Sequence, residues 1–207
     1  EIYYPDFYLL DGNIPKSILL KSKFINKQNY KIIGANRLDY FFNQKFNKHI
    51  GNKLLFCSGW HDFDHLFDLA ETLLINSNIE IIFTIHPKIS KTKTKNRIKK
   101  IINYRNFCNI TFTKDSSSKF FHESLLAVTT YSTAGLEAVI YGIPTISYLP
   151  VNYYTINVFD SASETIFELK KINEYNKILQ IYNNEDIRLK IYNIQYEYVS
   201  NLFNNLN

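Results

Sequence analysis

The amino-acid sequence predicts an α/β protein whose parallel sheet carries helices on both faces. Two patterns predict it. From Lys53 onward, short apolar runs alternate with amphipathic stretches at helical spacing, as βαβ units do. Residues 125 to 148 compress the same logic into one unit: an apolar strand enters Tyr131-Ser132-Thr133-Ala134-Gly135, becomes a helix, and returns through Gly142 and Pro144 to a second strand.

In chain order, the first forty-odd residues differ from the rest. Tyr3, Tyr4, Phe7 and Tyr8 crowd before a turn at Asp11-Gly12-Asn13, and no clean helical period precedes Ile18. Lys31 to Gly34 reads as a short strand ended by glycine, followed by Asn36-Arg37-Leu38-Asp39. Residues 1–45 are therefore expected to close a preceding domain and link it to a domain at 46–207. In that domain the pattern predicts strand Lys53 to Ser58, a helix from Phe63 to Ile75, strand Glu80 to Ile85 and a basic helix from Thr94 to Tyr104. Strand Ile110 to Thr113 follows, then a short helix at Ser117 to His122, strand Leu125 to Thr129, helix Thr133 to Tyr141 and strand Thr145 to Tyr148. After Asn173, Ile178, Leu179 and Tyr182, then Ile187, Ile191, Ile194, Tyr198 and Leu202, recur at helical spacing. Two C-terminal helices packed on the domain are expected.

Right-handed crossovers put the C-terminal end of every parallel strand on one edge, where ligands bind in open α/β sheets. The residues reaching that edge are Ser58-Gly59-Trp60-His61, His86-Pro87 and Ser132-Thr133. At the last of these, hydroxyls, backbone N–H groups expected to be unpaired and the positive end of a helix dipole meet at one point, which suits a phosphate. Ser132 and Thr133 would serve equally as ordinary helix caps. Glu137 is not needed by a cap, and from the first turn it could reach a ribose.

The 207 residues, 45% hydrophobic and 21% charged, are enough for one globular domain with an appendage. No run approaches bilayer length and no leader opens the chain; Glu1 stands first and methionine is absent, so a piece of a longer protein is expected. Cys57 and Cys108 form no CxxC pair and are read as core residues of a reducing compartment. The charge of +5 concentrates in Lys88, Lys91, Lys93, Lys95, Arg97, Lys99 and Lys100. A solvated helix face explains most of these, although an anionic glycan or lipid head group would be attracted. Nucleic-acid binding is not expected, since no zinc motif, RNP-like strand or helix-turn-helix is present. His61, Asp62, Asp64 and His65 suggest a metal, but the rest of a zinc-enzyme signature is missing, and Asp62 or Asp64 is read as a helix cap. His49 and His122 are read as surface residues.

Ile85-His86-Pro87 and Tyr131-Ser132-Thr133 with Glu137, Ala138, Gly142 and Pro144 together resemble motifs of the C-terminal, nucleotide-sugar-binding half of GT-B glycosyltransferases. The likeness is to the bacterial capsule and lipooligosaccharide sialyltransferases and related CDP-glycerol and Kdo transferases. Ile33-Gly34-Ala35-Asn36-Arg37-Leu38-Asp39 is similar to the strand and loop that enter this half. The resemblance implies a Rossmann-like fold. It also implies His86 as the catalytic candidate, contacting the donor's phosphate or nucleotide with Pro87 beside it. Ser132, Thr133, Ala134 and Gly135 would hold the phosphate, Glu137 the ribose, and Ser58, Gly59 and His61 would line the site. No metal or other cofactor is implied, because hydroxyls, N–H groups and imidazole can stabilise the leaving phosphate.

The same family keeps its acceptor-activating base in an acidic motif of the N-terminal half. Only Leu10-Asp11-Gly12 approaches it here, without the paired acid. The expectation is thus the donor-binding half of a glycosyltransferase that moves a sugar or polyol phosphate from a CMP- or CDP-type donor to a surface polysaccharide, a half that binds donor nucleotide but turns over poorly or not at all by itself. Its acceptor, a glycan or glycolipid, would come through a missing N-terminal domain. A cytoplasmic location follows, with peripheral contact at the inner membrane face left open. The alternatives are an isomerase like UDP-N-acetylglucosamine 2-epimerase and a non-catalytic nucleotide- or glycan-binding module.

Overall fold

The computed structural model describes residues 6–21, 29–34, 38, 51–104, 106–150, 159 and 167–203. The expectations for Tyr3, Tyr4, Ala35, Asn36, Arg37, Asp39 and His49, and for a boundary at 45/46, lie outside the described residues.

The N-terminal segment is more regular than its composition suggests. β1 (Tyr8–Leu10) and β2 (Tyr30–Ile32) pair in parallel as a separate two-stranded sheet, with α1 (Asn13–Lys21) between them in sequence. This helix starts a full turn before Ile18 because Pro15 falls in its first turn, where a missing N–H removes no helical bond. Gly34 follows β2 with φ of 75°, a left-handed conformation that glycine adopts without steric cost.

The main sheet has six parallel strands: β3 (Lys53–Cys57), β4 (Ile81–Thr84), β5 (Ile110–Thr113), β6 (Ser124–Thr129), β7 (Thr145–Tyr148) and β8 (Glu168–Leu169). They lie in the order β5-β4-β3-β6-β7-β8, which reverses direction between β3 and β6. Between them run α2 (Phe63–Asn76), α3 (Lys91–Ile101) and α4 (Ala134–Tyr141), followed after β8 by α5 (Tyr175–Asn183) and α6 (Glu185–Leu202). Under the right-handed rule for parallel crossovers, the reversal sends α2 and α3 to one face and α4 to the other. The fold is thus the expected α/β arrangement, a parallel sheet flanked by helices.

An aromatic cluster anchors the first face: Phe63 and Phe67 of α2 meet Phe83 of β4 and Phe112 of β5, with centroids 5.5 to 5.9 Å apart. On the other face, Phe121 packs on Tyr141 of α4. Gly142, at φ of 108°, ends α4 by donating its N–H to Ala138 and Val139 carbonyls. Leu38, between the two sheets in sequence, is buried in the main core.

Four details differ from the sequence reading. The basic helix begins at Lys91, one turn early, because Ser90 caps it by accepting the Lys93 N–H at 3.1 Å. Cys108 is exposed in the 3-10 turn Phe107–Asn109, so only Cys57 is a core cysteine, its thiol pushed up to about 12 by burial. The buried row of α6 is Ile191, Gln195 and Val199, while Ile187, Ile194, Tyr198 and Leu202 flank it half-buried. β8 was not foreseen. No described helix is long and apolar enough to cross a membrane.

Candidate functional site

Register places the site. Thr113, Thr84, Cys57, Thr129 and Ser147 form one row across β5, β4, β3, β6 and β7, so the loops that follow leave the sheet at one level. This row is polar yet buried at Thr84, Thr129 and Ser147. Two of its hydroxyls bind backbone of the neighbouring strand: Thr84 donates to the Phe56 carbonyl at 2.9 Å and Thr129 to the Cys57 carbonyl at 3.2 Å. The loops are thereby fixed at their roots.

Above the row lies a cavity of about 320 Å³, in the size range of small-molecule sites. Ser58 after β3, His86 and Pro87 after β4, and Ser132, Thr133, Ala134 and Glu137 at the start of α4 all line it. The cavity thus sits where the strand order reverses, at the carboxyl ends of β3 and β6. His86 and Ser132 come from elements 46 residues apart and share this space.

The turn before α4 is held by its own hydroxyls. Ser132 donates its N–H to Thr129 Oγ1 at 3.3 Å and accepts the Ala134 N–H on Oγ at 3.3 Å, while Gly135 donates to the Ser132 carbonyl at 3.0 Å. The Ala134 and Gly135 N–H groups are therefore satisfied locally and are not unpaired as the sequence reading expected. The Ser132 hydroxyl keeps its own proton to donate. Thr133, exposed at the N-cap position, makes no side-chain capping bond. What the turn offers an anion is two hydroxyls and the helix dipole. Glu137 is buried one turn into the helix and lines the cavity wall.

His86 is half-buried, and its Nδ1 accepts the Lys88 N–H at 3.2 Å. A neutral imidazole so engaged carries its proton on Nε2, which makes that edge the donor.

Three anticipated residues do not reach the cavity wall. Gly135 is buried against Thr129 and Thr145; a Cβ there would stand 2.7 Å from Thr129 Cγ2, so its smallness serves close packing of α4 on the sheet. Gly59 plays a similar part: a Cβ would meet Asp62 Oδ1 at 2.9 Å and the Tyr131 hydroxyl at 3.0 Å. His61 is exposed, its ring meets that of Trp60 at a tilt with centroids 4.5 Å apart, and its backbone N–H donates to the Tyr131 hydroxyl at 3.0 Å. This bond ties the β3 loop to the residue before Ser132.

Asp62 holds the N-cap position of α2 without making a capping bond. Its carboxyl is fully buried, neither oxygen has a well-formed hydrogen bond, and burial pushes its pKa up to about 6, with the nearby Thr130 hydroxyl and Gly59 backbone lowering it partway. Among the described residues no group of three or more His, Cys, Asp or Glu could hold a metal.

The loop after β5 completes the wall with Lys114, Asp115, Ser116 and Ser117, joined by Thr84 beneath. Lys114 donates through Nζ to the Ile89 carbonyl at 2.7 Å, and Ser117 Oγ lies 2.8 Å from Thr84 Oγ1. Sequence reasoning missed these residues, although the rule that found the other loops applies to this one: they directly follow a predicted strand.

No family model and no curated protein sequence matches the chain. Solved structures do. TarM from S. aureus, in complex with fondaparinux, α-GlcNAc-glycerol and UDP, superposes at a TM-score of 0.64 with 16% identity over 96% of this chain and 41% of that one. The fold is the Rossmann-like half of the GT-B type. The wall teichoic acid polymerase TagF, soaked with CDPG, matches at 0.58 with 13% identity over 98% of this chain and 53% of TagF. S. aureus MnaA with UDP matches at 0.59 with 14% identity over 96% and 56%. The chain spans about half the length of the solved chains it resembles.

Proposed function

We propose that the chain is the donor-binding half of a glycosyltransferase that moves a sugar or polyol phosphate from a CMP- or CDP-type donor to a surface polysaccharide. The observation that carries the reading is the cavity that His86 shares with Ser132, Thr133 and Glu137 where the strand order reverses. In support of a nucleotide donor, the TarM and MnaA complexes contain UDP and TagF was soaked with CDPG; the choice of CMP or CDP rests on the resemblance carried by His86-Pro87 and Ser132-Thr133.

In this reading the Nε2–H of His86 and the hydroxyls of Ser132 and Thr133 donate to the donor's phosphate oxygens, and the Glu137 carboxylate accepts from ribose hydroxyls. As the acceptor oxygen bonds to the transferred group, the bond to the nucleotide phosphate breaks and its electron pair leaves on that phosphate. His86, as the catalytic group, and the hydroxyls at the α4 dipole then stabilise charge that grows in the transition state. This reading calls on no metal, so nucleotide binding by the chain should survive EDTA. The acceptor glycan or glycolipid, and the base that takes its proton, belong to an N-terminal domain corresponding to the remaining length of the solved neighbours. The setting is cytoplasmic.

Calorimetric and thermal-shift titration with CMP, CDP, UDP and GDP tests the reading. A bound nucleotide at a hundred times its Kd should stabilise the fold by about 2.7 kcal/mol. His86→Ala and Ser132→Ala should each weaken the pyrimidine nucleotides by about 1.5 to 3 kcal/mol, the worth of a charge-assisted hydrogen bond. Unchanged affinity in both variants removes these residues from the site, and absence of binding by every nucleotide removes the function.

A further inference from the structure

The acids near the start of α2 differ in what they meet. Asp64 pairs with Lys93 of α3 at 2.6 Å and Asp68 pairs with Arg97. Asp62 turns inward: it is fully buried, and neither carboxyl oxygen makes a well-formed hydrogen bond. A Cβ on Gly59 would lie 2.9 Å from Asp62 Oδ1 and 3.0 Å from the Tyr131 hydroxyl, so one backbone position closes on both groups. Thr130 is also fully buried, its hydroxyl has no well-formed bond, and it stands close enough to the carboxyl to lower its pKa. The Tyr131 hydroxyl in turn accepts the His61 backbone N–H at 3.0 Å.

These contacts join two loops that are far apart in sequence. Gly59, His61 and Asp62 follow β3, whereas Thr130 and Tyr131 follow β6, and the strand order reverses between these two strands. Ser58 directly precedes Gly59, Ser132 directly follows Tyr131, and both serines line the cavity. A carboxylate has room for about four hydrogen bonds. The Thr130 hydroxyl and the Gly59 N–H are too few to replace its water, so the closed arrangement favours the neutral acid.

We propose that Asp62 is a positioning residue for the cavity loops. Protonated, it lets Gly59 and Tyr131 close over it, which keeps the His61–Tyr131 bond and holds Ser58 and Ser132 in place. Ionised, it draws in water, parts that bond and loosens the turn that carries Ser132. With a pKa of about 6 against an ordinary 3.8, closure is strongest below pH 3.8, weakens as pH rises, and is weakest above about pH 6. The titratable groups around it are His61 beside it, His65 on α2, Tyr131 after β6 and Cys57 of β3, which also senses Glu137 of α4. Burial pushes Tyr131 and Cys57 upward, and both stay neutral. A charged His65 favours the ionised carboxyl.

Amide hydrogen exchange followed by NMR reads both loops, with rates corrected for the intrinsic pH dependence of exchange. Between pH 4.5 and pH 7.5, protection of the His61, Ser132 and Ala134 amides should fall about thirtyfold, while Phe83 in β4 keeps its own. Asp62→Asn should abolish the fall and hold protection at pH 7.5 near the parent's value at pH 4.5. Tyr131→Phe, which deletes the bridge, should lower Ser132 and Ala134 protection even at pH 4.5 and weaken CDP binding about fivefold, the worth of one hydrogen bond. A fall that persists in Asp62→Asn would assign it to the histidines. A parallel fall at Phe83 would make it a loss of whole-molecule stability. Ser132 and Ala134 amides that move neither with pH nor in Tyr131→Phe would confine the effect to the β3 loop, and each of these three results overturns the positioning role. What Ser132 binds rests on the donor-half reading: failure of the parent to bind CDP and UDP fails that reading, while the exchange rates still decide the role of Asp62.

Discussion

Asp62 shows how far a residue's role depends on what folds over it. Next to His61, Asp64 and His65 in sequence it suggests a cap or a ligand; in the fold it is a buried carboxyl beneath Gly59 and Tyr131, with a pKa of about 6 against an ordinary 3.8. Its ionised form is the one burial disfavours. Below pH 3.8 the group is protonated in folded and unfolded chains alike and costs nothing. The cost grows as the unfolded chain ionises, and is complete above about pH 6. Asp62 therefore takes about 3 kcal/mol from stability at neutral pH, to order of magnitude. Asp62→Asn should raise the unfolding temperature at pH 7.5 and leave it nearly unchanged at pH 3.5. An equal shift at both values would show that the effect is packing and not charge. His86 and Ser132 were legible as cavity residues from sequence because each lies within three residues of the end of an apolar strand. The inaccessibility of Gly135 and Gly59 was not, because the atoms that crowd them come from distant segments.

Among the elements, α6 is secured by one polar side chain in an otherwise apolar stripe. Gln195 is fully buried and binds Thr145 twice, accepting its N–H at 2.8 Å and donating to its carbonyl, at the root of β7. Gln195→Leu keeps the volume but leaves a buried N–H and a buried carbonyl without partners. It should cost about 2 to 6 kcal/mol, at 1 to 3 for each group, measured by urea unfolding. A loss under 1 kcal/mol would mean water replaces both bonds. Helical spacing alone finds α6, since Ile187, Ile191, Ile194, Tyr198 and Leu202 recur correctly. It does not find its buried row, because glutamine reads as polar until its partner strand is known. The same holds for α3, whose lysines look alike in sequence and are divided by Asp64 and Asp68 of α2.

For the molecule as a whole, the ends of the described chain meet. A Cβ on Gly12 would lie 1.8 Å from the Leu202 carbonyl oxygen and 2.6 Å from its carbon, so the turn before α1 rests directly on the end of α6. Backbone cannot step aside as a side chain can. Gly12→Ala should separate β1, α1 and β2 from the main domain. Hydrogen exchange should then accelerate across residues 8 to 21 while β3, β4 and β6 stay protected. Unchanged exchange in the first segment would mean this contact does not hold it.

The sequence by itself determined β3 to β7, the helices between them and the loops bearing Ser58, His86 and Ser132, since hydrophobic period and glycine placement are local properties that each segment displays alone; β8 and the cleft loop after β5 escaped it. It also indicated that those loops share an edge, because parallel crossovers permit little else. The order β5-β4-β3-β6-β7-β8 was decided only in three dimensions, and with it the meeting of Ser58, His86 and Ser132 around one cavity. Strand order depends on which faces pack best among all segments at once, and no window of sequence contains that comparison.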